Sequence, residues 1–214
     1  MNLEETIKEA LLTFDPDKFE ETVKESLDSG YSALDIINAL TSALKVVGEM
    51  FEKGEIFLVQ LIVAGEASKN VTSKYLEPLL KETGEKRETL GKVIIGTVAG
   101  DIHEIGKNIV ASMLTAAGFE VIDLGTDVPV EKFVEAVKQH KPDILCMSAL
   151  LTTTIPVQEE VIEALKKENL RDRVKVMVGG SPVTQSWADE IGADGYAENA
   201  VDAVKLAKKL VGAE

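Results

Sequence analysis

The sequence is poor in cysteine, tryptophan and histidine, with one, one and two among 214 residues. One cysteine cannot close an internal disulfide, which fits a reducing compartment. Basic charge is also scarce: 23 Lys and Arg stand against 37 Asp and Glu, for a formal net charge of −14. Such a chain repels phosphate backbones, so no nucleic-acid partner is expected. No run of about 18 apolar residues occurs, so no membrane span is expected either. The opening MNLEETIKEALL is acidic and amphipathic and lacks the basic start of a signal peptide. The expectation is a soluble, cytoplasmic protein. What is present is ordinary for a folded chain, 45% hydrophobic and 28% charged, which excludes disordered, collagenous and low-complexity classes. The length corresponds to roughly 1.4 domains.

The hydrophobic period changes near residue 90. Before it, Leu3, Ile7, Ala10 and Leu11 recur at helical spacing. Asp15-Pro16 reads as an N-cap with proline in the first turn, opening a helix to about Leu27 with Gly30 as its stop. Ser32 caps a third helix containing Leu34, Ile37, Leu40, Leu44 and Val47, which Gly54 breaks. A fourth is predicted from about Phe57 to Leu80. Four short-looped helices predict a small antiparallel bundle over residues 1–90, ending in a polar linker at about 83–92, TGEKRETLGK. Residues 91–214 alternate instead. Apolar strands are predicted at 93–98, 121–124, 144–148, 174–178 and, weakly, 195–197, with helices near 107–117, 130–139, 157–167, 183–191 and 201–210. This predicts an α/β domain: a flavodoxin-like, Rossmann-like five-stranded parallel sheet of order 2-1-3-4-5. The two halves carry −8 and −6 formal charges, so neither is a basic module.

Ligands of such sheets bind at the C-terminal strand ends. Three loops are expected there: Gly100–Asn108, Ser148–Thr154 and Gly179–Pro182. The first matches neither common phosphate-binding pattern. Its glycines, 96, 100 and 106, are wrongly spaced for G-x-G-x-x-G, and Asn108 stands where a P-loop needs a hydroxyl. It does hold a histidine two residues after an aspartate. A carboxylate on one imidazole nitrogen fixes the tautomer and strengthens the other as a metal ligand. His140 lies at a helix end and Cys146 inside an apolar strand, so a zinc or iron site built from side chains has too few ligands. A lone histidine suits a metal already held by a macrocycle.

Asp101-x-His103-x-x-Gly106, then Ser148-x-Leu150, then Gly179-Gly180, resembles the cobalamin-binding signature of corrinoid proteins. GDIHEIGKNIV followed by DLGTDVP resembles the cobalamin domain of cobalamin-dependent methionine synthase and of methyltransferase corrinoid proteins. EMFEKGEIFLVQLIVAGEASK resembles their helical cap. The size and two-domain layout are similar to the stand-alone corrinoid proteins of methylamine, methanol and methoxyl-compound systems. GGSPVTQSWADEIGADGYAENA most resembles the methylamine type.

The resemblance implies cobalamin, or a related corrinoid, bound base-off with His103 as the lower axial ligand of cobalt. It implies Asp101 on the other imidazole nitrogen, with Thr154 either a third relay member or an ordinary loop hydroxyl. It implies a displaced nucleotide tail in the sheet-edge groove, given room by Gly106, Gly179 and Gly180 and contacts by Ser148, Thr152 and Leu150. Phe51 and Leu58 match cap residues over the upper corrin face, against the alternative of plain bundle core. Proline often stands in the family where this chain has Val59. The implied function is a methyl carrier. It accepts a methyl group on cobalt(I) from a substrate-specific methyltransferase, methylamine-type favoured, and passes it to a second methyltransferase acting on a thiol or tetrahydrofolate. A reductive activase is a further expected partner. The carrier is not catalytic alone, and its linker would serve as a hinge. The alternatives are the corrinoid subunit of a methoxyl O-demethylase or glycine betaine system, or a cobalamin-responsive regulator. The regulator would need a DNA-binding domain for which this acidic chain has no room. Another kind of flavodoxin-like module is a third class, but a response regulator wants an aspartate where the third strand ends Cys146-Met147-Ser148.

Overall fold

The computed structural model describes residues 2–83 and 89–213. Residues 84–88, the middle of the expected linker, lie outside them. Backbone packing divides the chain into two compact units, Met1–Thr89 with Thr115–Gly118, and Leu90–Leu114 with Phe119–Glu214.

The first unit is helical. α1 (Leu3–Leu11) is capped by Asn2, whose side chain accepts the Glu5 N–H at 2.8 Å. α2 (Pro16–Asp28) is capped by Asp15, which accepts from Asp17 and Lys18, and has proline at its start. α3 (Ala33–Glu52) opens on a reciprocal Ser32–Asp35 capping box. Each cap satisfies donors that the first helical turn leaves unpaired. Ile7, Leu11, Phe19, Val23, Ile36, Leu40, Leu44 and Leu61 are buried as the unit's core. The predicted fourth helix forms, but it is not a regular α-helix throughout. α4 (Leu58–Val71) passes through a π turn at Thr72–Leu76 into α5 (Glu77–Thr83). Pro78 supplies a reason: inside a regular helix its ring collides with the carbonyl four residues back. The wider turn ahead of it closes on a Glu77 N–H bond to the carbonyl of Thr72, five residues back. Ser73 also bonds back to the Lys69 carbonyl at 2.9 Å, competing with the regular ladder. The extra residue keeps both Val71 and Leu76 buried.

The second unit is a parallel sheet with alternating helices, in chain order β1 (Lys92–Thr97), α6 (Ile105–Ala116), β2 (Glu120–Asp123), α7 (Val130–His140), β3 (Ile144–Ser148), α8 (Pro156–Lys167), β4 (Lys175–Gly179), α9 (Gln185–Ile191), β5 (Gly195–Tyr196) and α10 (Ala200–Val211). The strand order is β2-β1-β3-β4-β5, as the alternating pattern predicts. Central strands read as unbroken apolar runs because both faces are covered: Val93, Ile94, Ile95, Ile144, Leu145, Val176 and Val178 are all buried. The register aligns Thr97 with Ser148 and Ser148 with Gly179, so the three central strands end level. Among the described residues no helix is long and apolar enough to cross a membrane.

Candidate functional site

The loops leaving β1, β3 and β4 meet at the carboxyl edge of the sheet, and Asp101 lies at their centre. It is fully buried and ringed by donors of its own chain. One carboxylate oxygen accepts the His103 N–H at 3.0 Å and faces His103 Nδ1 at 2.7 Å. The other accepts the N–H groups of Leu150 at 2.6 Å and Leu151 at 3.3 Å, with the Thr154 hydroxyl at 2.9 Å. Burial alone pushes this carboxyl upward, but the bonds from Leu150, His103 and Thr154 outweigh it and hold the group well below the usual carboxylate range.

An ionised carboxylate only accepts, so the proton of a neutral imidazole sits on Nδ1 and Nε2 keeps its lone pair. Among the described residues nothing bonds to Nε2. The His103 side chain is 48% exposed, whereas its partner Asp101 is sealed. The arrangement is a half-open imidazole with its tautomer set from behind, which is the form that ligates a metal. Among the described residues no three His, Cys, Asp or Glu side chains gather to hold a metal ion by themselves.

The surroundings are apolar where a soluble surface is usually polar. The exposed large apolar side chains of this unit, among the described residues, are Leu90, Ile102, Ile105, Leu150 and Leu151. Four of those five flank His103 on two loops, and Ile102 and Ile105 are 75% and 71% exposed. Apolar area left open and clustered marks a surface meant to be covered. Beside it, a Cβ at Gly106 would meet no atom within 4 Å, so the start of α6 borders open space. The donor set, the apolar bed and this open edge fit a corrinoid with one protein ligand.

The other expected residues fall as follows. Thr154 is buried, with its hydroxyl 2.9 Å from Asp101. Leu150 contributes its N–H to Asp101 as well as an exposed side chain. Ser148 ends β3 half-buried, and its carbonyl accepts the Val98 N–H at 3.0 Å. Thr152 is exposed on the same loop. The space beside Gly180 is already taken. A Cβ there would stand 1.8 Å from the Ala149 carbonyl oxygen, so the close approach of two loops requires glycine at this position. At Gly179 a Cβ would be 3.4 Å from the Ala197 carbonyl oxygen. In the helical unit, Phe51 near the end of α3 and Leu58 at the start of α4 are both half-buried, on either side of a corner where Gly54 has φ +72°. Their neighbours Phe57 and Val59 are 82% and 70% exposed.

Sequence reasoning missed several supports. Thr97, buried, donates its hydroxyl to the His103 carbonyl at 2.9 Å. Gln158, also buried, donates to the carbonyls of Met147 and Gly179 and accepts from Trp187 Nε1, tying the ends of β3 and β4. Lys107, which the sequence leaves open as structural or solvated, is buried and pairs with Asp123 and Asn108. Ile102 and Leu151 carried a signal in retrospect: they are large apolar residues in loops that neither helix nor strand period claims, and Ile105, at the start of α6, is exposed beside them in sequence.

Comparison with known proteins gives the family. Two B12 binding domain models match, over residues 91–205 and 3–75. The chain is 48% identical to the trimethylamine corrinoid protein of Methanosarcina barkeri over 211 residues, 97% of each chain. Among solved structures it resembles a cobalamin-binding protein from Desulfitobacterium hafniense DCB-2, at 36% identity, TM-score 0.66 and 98% of both chains. It also resembles the methanol:cobalamin methyltransferase complex MtaBC from Methanosarcina barkeri, at 31% identity and TM-score 0.85, over 99% of this chain and 80% of that one. A lone, tautomer-fixed histidine on an apolar bed and matches spanning almost the whole length lead to one assignment: this chain belongs to the corrinoid proteins of methyltransferase systems and carries their B12 binding domain.

Proposed function

We propose that the chain is the methyl-carrying corrinoid subunit of a methylamine-type methyltransferase system, with His103 as the lower axial ligand of cobalt and the corrinoid bound base-off. The observation that carries this reading is the chain of contacts from His103 Nδ1 through Asp101 to the Thr154 hydroxyl, at 2.7 and 2.9 Å, on loops that also carry the exposed apolar side chains of Ile102, Leu150 and Leu151. When bound, the corrinoid supplies a cobalt centre that takes a methyl group from one enzyme and yields it to another.

The chain's own residues do the rest. Asp101 holds the imidazole with Nε2 free for ligation. Because five donors surround it, Asp101 stays ionised. Thr154 supports the carboxylate from its far side. Gly106 borders the groove that would take the nucleotide tail, with Ser148, Thr152 and Gly179 along it. Phe51 and Leu58, on the helical domain of residues 1–90, are the proposed cap residues, and residues 91–214 are the proposed cobalamin domain.

The relatives' chemistry supports the choice of partner. The resemblance to a trimethylamine corrinoid protein at 48% identity favours a methylamine methyltransferase over the methanol enzyme, whose corrinoid complex is 31% identical. A second methyltransferase acting on a thiol or tetrahydrofolate, and a reductive activase, complete the proposed set of partners.

The test is anaerobic reconstitution with hydroxocobalamin, desalting, cobalt analysis and a visible spectrum, for the natural chain and for His103→Ala. The expected result is one retained cobalt per chain with a histidine-ligated spectrum, and an unligated spectrum for the variant with unchanged circular dichroism. Coincident spectra would remove the axial-ligand assignment, and no retained cobalt would remove the carrier reading.

A further inference from the structure

We infer that Asp127, on the loop between β2 and α7, is a positioning residue for His103, acting on the backbone of the ligand loop, whereas Thr154 acts on the Asp101 side chain. The inference rests on His103 being the cobalt ligand.

Asp127 grips the backbone on both sides of one peptide. Its carboxylate accepts the Gly100 N–H at 2.7 Å, and its own N–H donates to the Asp101 carbonyl at 2.9 Å. To reach both, it adopts φ +51°, a left-handed conformation that aspartate tolerates better than most residues. The loop carrying it is itself anchored to β1. Val128 N–H donates to the Thr97 carbonyl and Thr97 N–H to the Gly125 carbonyl, both at 3.0 Å, and Val98 pairs with Val128.

The consequence runs through Asp101. Its side chain must meet His103 on one oxygen and Leu150 on the other, which fixes the carboxylate only if its backbone is fixed too. Asp127 holds that backbone at the Asp101 carbonyl and the preceding Gly100 amide. Thr97 holds the far end of the segment through the His103 carbonyl at 2.9 Å. The imidazole is therefore aimed by two clamps, one of which is exposed and distant in sequence. A ligand must be held to within a fraction of an ångström to keep its bond to a metal, so loosening one clamp shifts the balance between ligated and unligated imidazole.

Two substitutions separate this role from simple turn stability. Asp127→Gly removes the carboxylate but accepts the left-handed backbone without strain. Asp127→Asn keeps the acceptor oxygen and the left-handed tendency. After reconstitution with hydroxocobalamin, the glycine variant should retain one cobalt per chain while its ratio of histidine-ligated to unligated spectrum falls about tenfold, the loss of about one hydrogen bond to a charged group. The asparagine variant should return to within about twofold of the natural chain. In the cofactor-free chain, amide hydrogen exchange at residues 100–103 should quicken in the glycine variant and recover in the asparagine one. A glycine variant with the natural ligated fraction and natural exchange at these amides would overturn the inference alone. If His103→Ala also leaves the spectrum unchanged, the ligand assignment has failed, and this inference falls with it.

Discussion

Replacing Gly180 by alanine should be the most damaging single-methyl change at the sheet's carboxyl edge. The added Cβ would sit 1.8 Å from the Ala149 oxygen, 2.7 Å from its carbonyl carbon and 3.0 Å from its nitrogen, at φ +122°. None of these atoms is the tip of a flexible side chain, so the backbone itself must give way. Ala149 cannot retreat freely, because its N–H donates to the Gly179 carbonyl at 3.1 Å and the next N–H, of Leu150, holds Asp101 at 2.6 Å. The unfavourable backbone conformation costs about 1–2 kcal/mol, and forcing a methyl into filled space adds about 1–3 kcal/mol. The total, about 2–5 kcal/mol, is a large share of the stability of an ordinary domain, about 5–15 kcal/mol. It should lower the melting temperature by about 10 °C. Gly179→Ala is the control, since its Cβ would stand 3.4 Å from the Ala197 oxygen at an ordinary backbone angle. That change should cost under about 1 kcal/mol, as an unstrained surface-type substitution does. Urea unfolding followed by far-ultraviolet circular dichroism measures both. Equal midpoints for the two variants, with unchanged slopes, would refute the reasoning that a backbone collision dictates glycine at 180.

Two further outcomes follow from charge. The Asp101 carboxyl is depressed in the fold, so its contribution is complete above the unfolded value of about 3.9 and drains away as pH falls below it towards the folded value. The gap in urea midpoint between the natural chain and Asp101→Asn should be flat from about pH 7 to pH 5 and narrow below about pH 4; a gap undiminished at pH 3 would contradict this. On the helical unit, Lys24, Tyr75 and Lys74 hold Glu20 down to about 2. Carbon-detected NMR titration should show the Glu20 midpoint rising in Lys24→Met, the largest contributor, and less in Tyr75→Phe; an unmoved midpoint in both would discount the cluster.

The strand order was legible because β1, β3 and β4 are apolar between their end residues and separated by helical period, as strands of a sheet covered on both faces are. The π turn inside the fourth helix was not legible because Leu61, Ala64 and Leu80 keep helical spacing overall while one extra residue is absorbed between Val71 and Leu76. A periodicity count passes over a single insertion of that kind, and Pro78 was the warning. At the site, His103, Asp101 and Thr154 were visible because motif residues carry their chemistry in their identity. Thr97, Gln158, Lys107 and Asp127 were not. Their roles come from partners 6 to 29 positions away, which only the folded register brings near. The sequence leaves Lys107 open as structural or solvated, and nothing local says that Asp123 will meet it in the interior.

The level ending of β1, β3 and β4 has one more consequence. Thr97, Ser148 and Gly179 stand on one rung, and a loop departs from each. Because β1, β3 and β4 are neighbours, these ends lie in a row, a level sill from which the three loops start at equal height. The height of the sill is counted in whole residues. Deleting one from β3 would drop its loop by about 3.3 Å and turn its side chains to the opposite face. The strands can therefore accept no change in their number of residues without moving the loops that carry Asp101, Leu150 and Gly180.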